Sequence, residues 1–207
     1  FRLTVGRISQ TLRTIVRLRI LLLLLCAVPV LAMAGVNVRV HGLDADETDN
    51  VYAQLGLLEY AKATDAAKAE YDPAEVQRRF DEGAQDIRTA LQPFGFYNPV
   101  VASSLHGEKP DWTATYAVNP GPPTDIGTLD IQVEGAGKDD EALRKILSRP
   151  RLRVGQQLNH PRYEGLKARL LQTALSEGYL DASYARHELR VDINTNTAEI
   201  LLTLETG

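Results

Sequence analysis

The sequence predicts an α+β protein made of two tandem β-α-α-β-β units, each a three-stranded sheet covered by two helices. Three observations carry this. Two alternating strands of the same form open two stretches of similar length, at Val36-Asn37-Val38-Arg39-Val40-His41-Gly42 and Leu129-Asp130-Ile131-Gln132-Val133-Glu134-Gly135. Amphipathic helical patterns follow each strand. Both stretches then pass through a glycine-aromatic helix stop into two further strands. Period two marks a half-buried strand, and the closing glycine a turn.

In the first unit, Val51, Leu55 and Leu58 share one helical face, and a second helix starts at Asp72-Pro73-Ala74-Glu75. Aspartate suits the N-cap, proline the first helical position, and Glu75 the third residue of a capping box. The predicted buried stripe of that helix is Val76, Phe80, Ala84, Ile87 and Leu91. In the second unit, a short helix is expected over residues 141–147. A longer one follows Asn159-His160-Pro161, with Tyr163, Leu166, Leu170 and Ala174 as its stripe. The long helices close at Gly95-Phe96-Tyr97 and Gly178-Tyr179-Leu180. Glycine adopts the left-handed conformation there without a Cβ penalty. Closing hairpins are expected at residues 100–105 with 112–118, turning at 106–110, and at 183–193 with 198–204. The proline-rich Asn119-Pro120-Gly121-Pro122-Pro123 separates a first domain at residues 35–121 from a second at 122–207.

Residues 1–34 read as an export signal. Five arginines and no acidic residue precede the apolar run of residues 20–31, and Ala32-Met33-Ala34 supplies a small-x-small site, so cleavage is expected between Ala34 and Gly35. Twelve apolar residues are too few to span a bilayer, which takes about 20. Leu25 precedes the single cysteine, Cys26, where a lipoprotein signal would carry a small residue. Without that cysteine the exported part has no disulfide and relies on packed cores. Removing five arginines leaves 18 basic against 27 acidic residues, a balance of −9. That balance argues against nucleic acid as a partner and for a chain that stays off anionic lipid surfaces.

No catalytic, cofactor or metal site stands out. Gly135-Ala136-Gly137-Lys138 would need glycine at Gln132 and serine or threonine at Asp139 to be a phosphate loop, and reads as a flexible turn. The four histidines (His41, His106, His160 and His187) are scattered singly, with His106 and His160 at turn or cap positions. Asp44, Asp46, Glu47 and Asp49 lack the glycine and terminal glutamate of a calcium loop, and are better read as helix capping. The chain is therefore expected to be a binding module rather than an enzyme, with no cofactor.

Tandem units of this kind behind an export signal resemble the POTRA domains of outer-membrane assembly factors in the BamA superfamily, and most closely its TamA-like family. Gly42-Leu43 with Asn50-Val51 carries the likeness in the first unit. The second has Gly155-Gln156-Gln157-Leu158-Asn159-His160, Tyr163-Glu164, Leu166-Lys167, Gly178-Tyr179-Leu180-Asp181-Ala182, Ala198-Glu199-Ile200 and Thr206-Gly207. The resemblance implies the periplasmic portion of a bacterial outer-membrane protein, continuing past Gly207 into a third such domain and a membrane β-barrel. It also implies a TamB-like, inner-membrane-anchored partner and outer-membrane or autotransporter clients, with membrane contact only through the barrel. A BamA-like or two-partner-secretion transporter, and a stand-alone periplasmic enzyme or ligand-binding domain, are the alternatives.

An unpaired sheet edge can accept an extended segment as an added strand. The resemblance places the exposed edge at the second strand of each unit. Arg186, Glu188, Arg190 and Asp192 charge the edge in the second unit. The six residues Val100, Val101, Ala102, Ser103, Ser104 and Leu105 carry no charge, and form the candidate partner-binding edge.

Overall fold

The computed structural model describes residues 35–207. The expected signal, with Ala32 and Ala34 of its cleavage site, lies outside the described residues. The first half runs β1 (Gly35–His41), α1 (Ala45–Gln54), α2 (Gly56–Ala67), α3 (Pro73–Leu91), β2 (Val100–Glu108) and β3 (Asp111–Asn119). The second runs β4 (Asp125–Glu134), α4 (Glu141–Ser148), α5 (His160–Ser176), β5 (Ser183–Asp192) and β6 (Thr197–Glu205). The sheets have the orders β1-β3-β2 and β4-β6-β5. In each, the last strand lies centrally, parallel to the first and antiparallel to the second.

The first half has three helices where two were expected. Val51 and Leu58 lie on separate helices, with Leu55 extended between them (ψ 108°) and buried. Leu55 offers no side-chain cap to α2. The Asp86 carboxylate, reaching over from α3, accepts from the Gly56 N–H at 2.9 Å instead. A cap supplied from 30 residues away leaves no local signal. The acidic start of α1 does cap it. Asp44 accepts from the Glu47 N–H at 2.9 Å, and Glu47 accepts from the Asp44 N–H at 3.1 Å. The capping box expected at Asp72 and Glu75 forms only in part. Asp72 accepts from the Ala74 N–H at 2.9 Å. The Glu75 carboxylate turns to the guanidiniums of Arg78 and Arg79, charged donors that outcompete one backbone N–H.

Helix α3 covers the first sheet with Val76, Phe80, Gly83 and Ile87, so Gly83 rather than Ala84 completes the stripe. The steps of four, three and four residues follow the helical period more closely than 80 to 84 to 87 does. The reason for glycine is Tyr116 of β3. Its ring fills the space over Gly83, and its hydroxyl donates to the Phe80 carbonyl at 3.1 Å. In the second half, Tyr163, Leu166, Leu170 and Ala174 are the buried residues of α5, as the pattern predicts.

Other local readings shift for identifiable reasons. Strand β4 begins at Asp125, ahead of the alternating stretch, because the register breaks between Ile126 and Thr128 and interrupts the period of two. The first hairpin turns at Lys109-Pro110, and His106 lies in β2 opposite Thr113 rather than in a turn. Gly107, read as a turn residue, pairs with Trp112 at φ +104°, where a Cβ would lie 2.2 Å from the Asp111 carbonyl oxygen. The segment from Gly135 forms a short 3-10 turn tied to the end of the chain. Gly137 is buried, its N–H donates to the Thr206 hydroxyl at 2.8 Å, and that hydroxyl donates to the Glu134 carbonyl at 2.6 Å.

Buried side chains gather in two clusters. One lies around Leu57, Phe80, Ile87 and Tyr116, the other around Ile126, Leu170, Ile200 and Leu202. Phe80→Ala is expected to cost the first cluster about 3–5 kcal/mol, the usual penalty for a large core truncation. The only tryptophan, Trp112, sits in that cluster. Its fluorescence should therefore melt well before the far-ultraviolet dichroism that reports both halves. Coincident loss of the two signals would mean one cooperative unit. Gly83→Ala gains about 1 kcal/mol in helix propensity, yet drives a methyl to 2.3 Å from the Tyr116 hydroxyl. Overpacking costs about 1–3 kcal/mol, so the clash should win and lower the Trp112-monitored midpoint.

Candidate partner-binding edge

Four strands border solvent in the two sheets, and their outer edges are not equivalent. Beside β1, the Val40 N–H donates to the Tyr52 hydroxyl of α1 at 3.3 Å, so that edge is partly occupied by the chain itself. Beside β4, the 155–157 loop pairs back. The Ile126 N–H donates to the Gln156 carbonyl at 2.8 Å, and the Gly155 N–H to the Ile126 carbonyl at 2.8 Å. Strand β5 is broken by a register shift between Tyr184 and Arg186. It also carries a chain of ion pairs, Arg186 to Glu188 at 3.1 Å and Glu188 to Arg190 at 2.6 Å. Bulges and charges are how edge strands discourage further pairing.

Strand β2 has none of these devices over residues 100–105. It pairs with β3 in unbroken register from Val100 opposite Asn119 to Glu108 opposite Asp111. Val101 and Leu105 point to the first cluster, while Val100 is 67% exposed. Among the described residues, no backbone bond from outside the sheet reaches 100–105. All six candidate residues thus lie together on one regular, uncharged strand border.

The start of that strand is held by the junction between the halves. Gly95 adopts φ +88°, and a Cβ there would lie 2.7 Å from the Leu158 carbonyl oxygen. Its own carbonyl accepts from the Thr124 N–H at 2.8 Å. The Gln157 amide donates to the Phe94 carbonyl at 2.8 Å, and the Asn98 amide to the Ile193 carbonyl at 3.0 Å. Phe96 turns into the first cluster, while Tyr97 packs on the second and places its hydroxyl 2.7 Å from His160 Nε2. Residues 94–98 therefore pin the entry to β2 at Val100. Tyr97, Gln157 and His160 were not predicted to act together. The sequence shows an aromatic after a helix stop and a histidine at a helix start, but not that they meet.

Other groups remain apart. Among the described residues, no three histidine, cysteine or carboxylate side chains gather as metal ligands, and no helix is long and apolar enough to cross a membrane.

Each sheet, with its last strand central and helices on one face, has the α+β arrangement expected of a POTRA-like domain. Residues 37–120 match the family model described as POTRA domain TamA domain 1. Among solved structures, the chain is similar to POTRA3-5 of BamA from Haemophilus influenzae. The identity is 15% over 84% of this chain and 66% of that one, with a TM-score of 0.44. It is also similar to POTRA1-2 of the Omp85 periplasmic domain from Anabaena, at 17% identity over 84% of this chain and 94% of that one, with a TM-score of 0.34. Against BamA from Haemophilus ducreyi lacking POTRA domains 1-3, it spans 29% of that chain at 18% identity, with a TM-score of 0.37.

The junction has a pH signature. Burial holds the His160 imidazole below its usual range, and the nearby Glu164 carboxylate opposes this only in part. A histidine in the unfolded chain takes up its proton near pH 6.5. The folded chain resists, so the junction's contribution is complete above about pH 6.5 and declines as pH falls toward the lower folded value. His160→Gln should flatten the dependence of melting midpoint on pH below about 6.5. Parallel curves for the two proteins would remove His160 from the account.

Proposed function

We propose that this chain is the periplasmic binding scaffold of an outer-membrane protein assembly or translocation factor. It would act by binding rather than catalysis. Residues 35–121 and 122–207 serve as two domains, after export and cleavage between Ala34 and Gly35. On this reading, an extended segment of a TamB-like, inner-membrane-anchored partner, or of an outer-membrane client, adds to the edge of β2. The observation that carries it is the state of residues 100–105. They form a regular, uncharged border, whereas the β1, β4 and β5 borders are occupied, broken or charged. Strand addition binds through main-chain groups and so tolerates varied sequences, which suits a factor with several clients.

Neighbouring strand residues send their N–H groups to opposite sides. Of Ala102→Pro and Ser103→Pro, one therefore removes an outward donor and spares the ladder to β3. That variant should keep the native dichroism, yet bind the partner's C-terminal region several-fold more weakly. A lost bond is worth about 0.5–1.5 kcal/mol, and the disturbed edge geometry adds to it. Ser103→Ala and Ser104→Ala should bind as the parent does. Unchanged affinity in both proline variants would reject this edge.

A further inference from the structure

The balance of −9 over residues 35–207 conceals a local inversion. From Ala142 to Tyr163 there is no acidic residue, while Arg144, Lys145, Arg149, Arg151, Arg153 and Arg162 all fall in that stretch. The α4–α5 connection folds so that four of these arginines approach Arg169 of α5 around a concave surface. One cavity, of 420 Å³, has Ile146 and Leu166 on its floor and Arg149, Arg151, Arg162 and Arg169 at its rim. A second, of 850 Å³, shares Arg149, Arg151 and Arg162 and adds Arg153. The two form one groove, apolar at one end and polar at the other.

Five guanidiniums converge here, and among the described residues none has a carboxylate partner. The arginines that do have partners, Arg78, Arg79, Arg144, Arg186 and Arg190, lie elsewhere. Like charges held together raise the energy of the free state, and an anion in the groove relieves it. The first turns of α5 contribute Pro161, Arg162 and Gly165 to the wall, adding the positive end of a helix dipole. A side chain on Gly165 would meet nothing within 4 Å, so the apolar end has open room.

We infer that this groove binds an acidic, extended protein segment in which carboxylates alternate with apolar side chains. Guanidinium forks match carboxylates in bidentate fashion, and the apolar floor takes the side chains between them. The arginines ring a hollow rather than a protrusion, which suits an inserted chain better than a bilayer surface. The groove belongs to the second unit, and does not depend on the β2 edge.

The test measures fluorescence anisotropy of a labelled ten-residue peptide of alternating glutamate and leucine, added to the full chain. Binding should weaken with salt, and an alternating lysine-leucine peptide should not bind. Arg151→Gln with Arg162→Gln, the pair shared by both cavities, should weaken binding about tenfold or more. These side chains are exposed and unpaired, so the fold should persist. Gly165→Leu should also weaken binding, by filling the apolar end without changing charge. Arg39→Gln with Arg88→Gln, an equal charge change in the first unit, should bind as the parent does. Three results would overturn the inference: affinity unchanged by the Arg151 and Arg162 substitutions, equal affinity for an all-glutamate peptide, or binding of phosphatidylglycerol vesicles through these arginines without binding of the peptide.

Discussion

A three-stranded sheet has one inner strand and two borders, and that constraint organises both halves of the molecule. The inner strands, β3 and β6, alternate buried and accessible residues along most of their length. Both of their backbone sides are used, parallel to one neighbour and antiparallel to the other. Helices cover one face. What remains is a set of four strand borders whose N–H and C=O groups must meet water, the chain itself or another molecule. The chain treats these borders differently, with a tyrosine hydroxyl at β1, a returning loop at β4 and a bulge with ion pairs at β5. The bare border at β2 is distinctive against that background.

The packing of the first sheet also depends on omission. Tyr116 extends from the inner strand across α3 because Gly83 offers no side chain, and its hydroxyl finds the Phe80 carbonyl. A buried phenol needs such an acceptor. The junction works in the same way. Gly95 lets the backbone of the first half approach the Leu158 carbonyl, and Tyr97 reaches His160 across that contact. These contacts immediately precede β2, so a local glycine requirement bears on the placement of the candidate edge.

Much of this was legible in the sequence where a periodic pattern was long and uninterrupted. The α5 stripe from Tyr163 to Ala174 and the strand at residues 36–40 are such cases, because period alone identifies the buried face. Legibility failed where a distant group decided a local outcome. The split between α1 and α2 depends on Asp86, and the choice of Gly83 over Ala84 depends on Tyr116. The order of the turn at Gly137 depends on Thr206. Of the candidate site, the uncharged character of residues 100–105 could be read directly. The Tyr52 and Gln156 contacts that distinguish it from other borders could not, since they join residues far apart in sequence. The net charge likewise hid the arginine groove. An average over 173 residues says little about 22 of them.

The two surfaces differ in the physics they offer, and this bears on how one chain could hold a segment of another protein. A strand border supplies backbone bonds, which are nearly indifferent to side chains and only weakly affected by salt. A guanidinium groove with an apolar floor reads charge and spacing, and its reach falls off with ionic strength. Sequence tolerance at a strand border and charge selection at a guanidinium groove are complementary properties. If both engage one extended partner, each raises the effective concentration of that partner at the other, so modest individual affinities combine. That gain is largest where the spacing between the units matches the span of the bound segment. The Gly95–Leu158 approach and the Tyr97–His160 contact are the links between the halves that bear on that spacing.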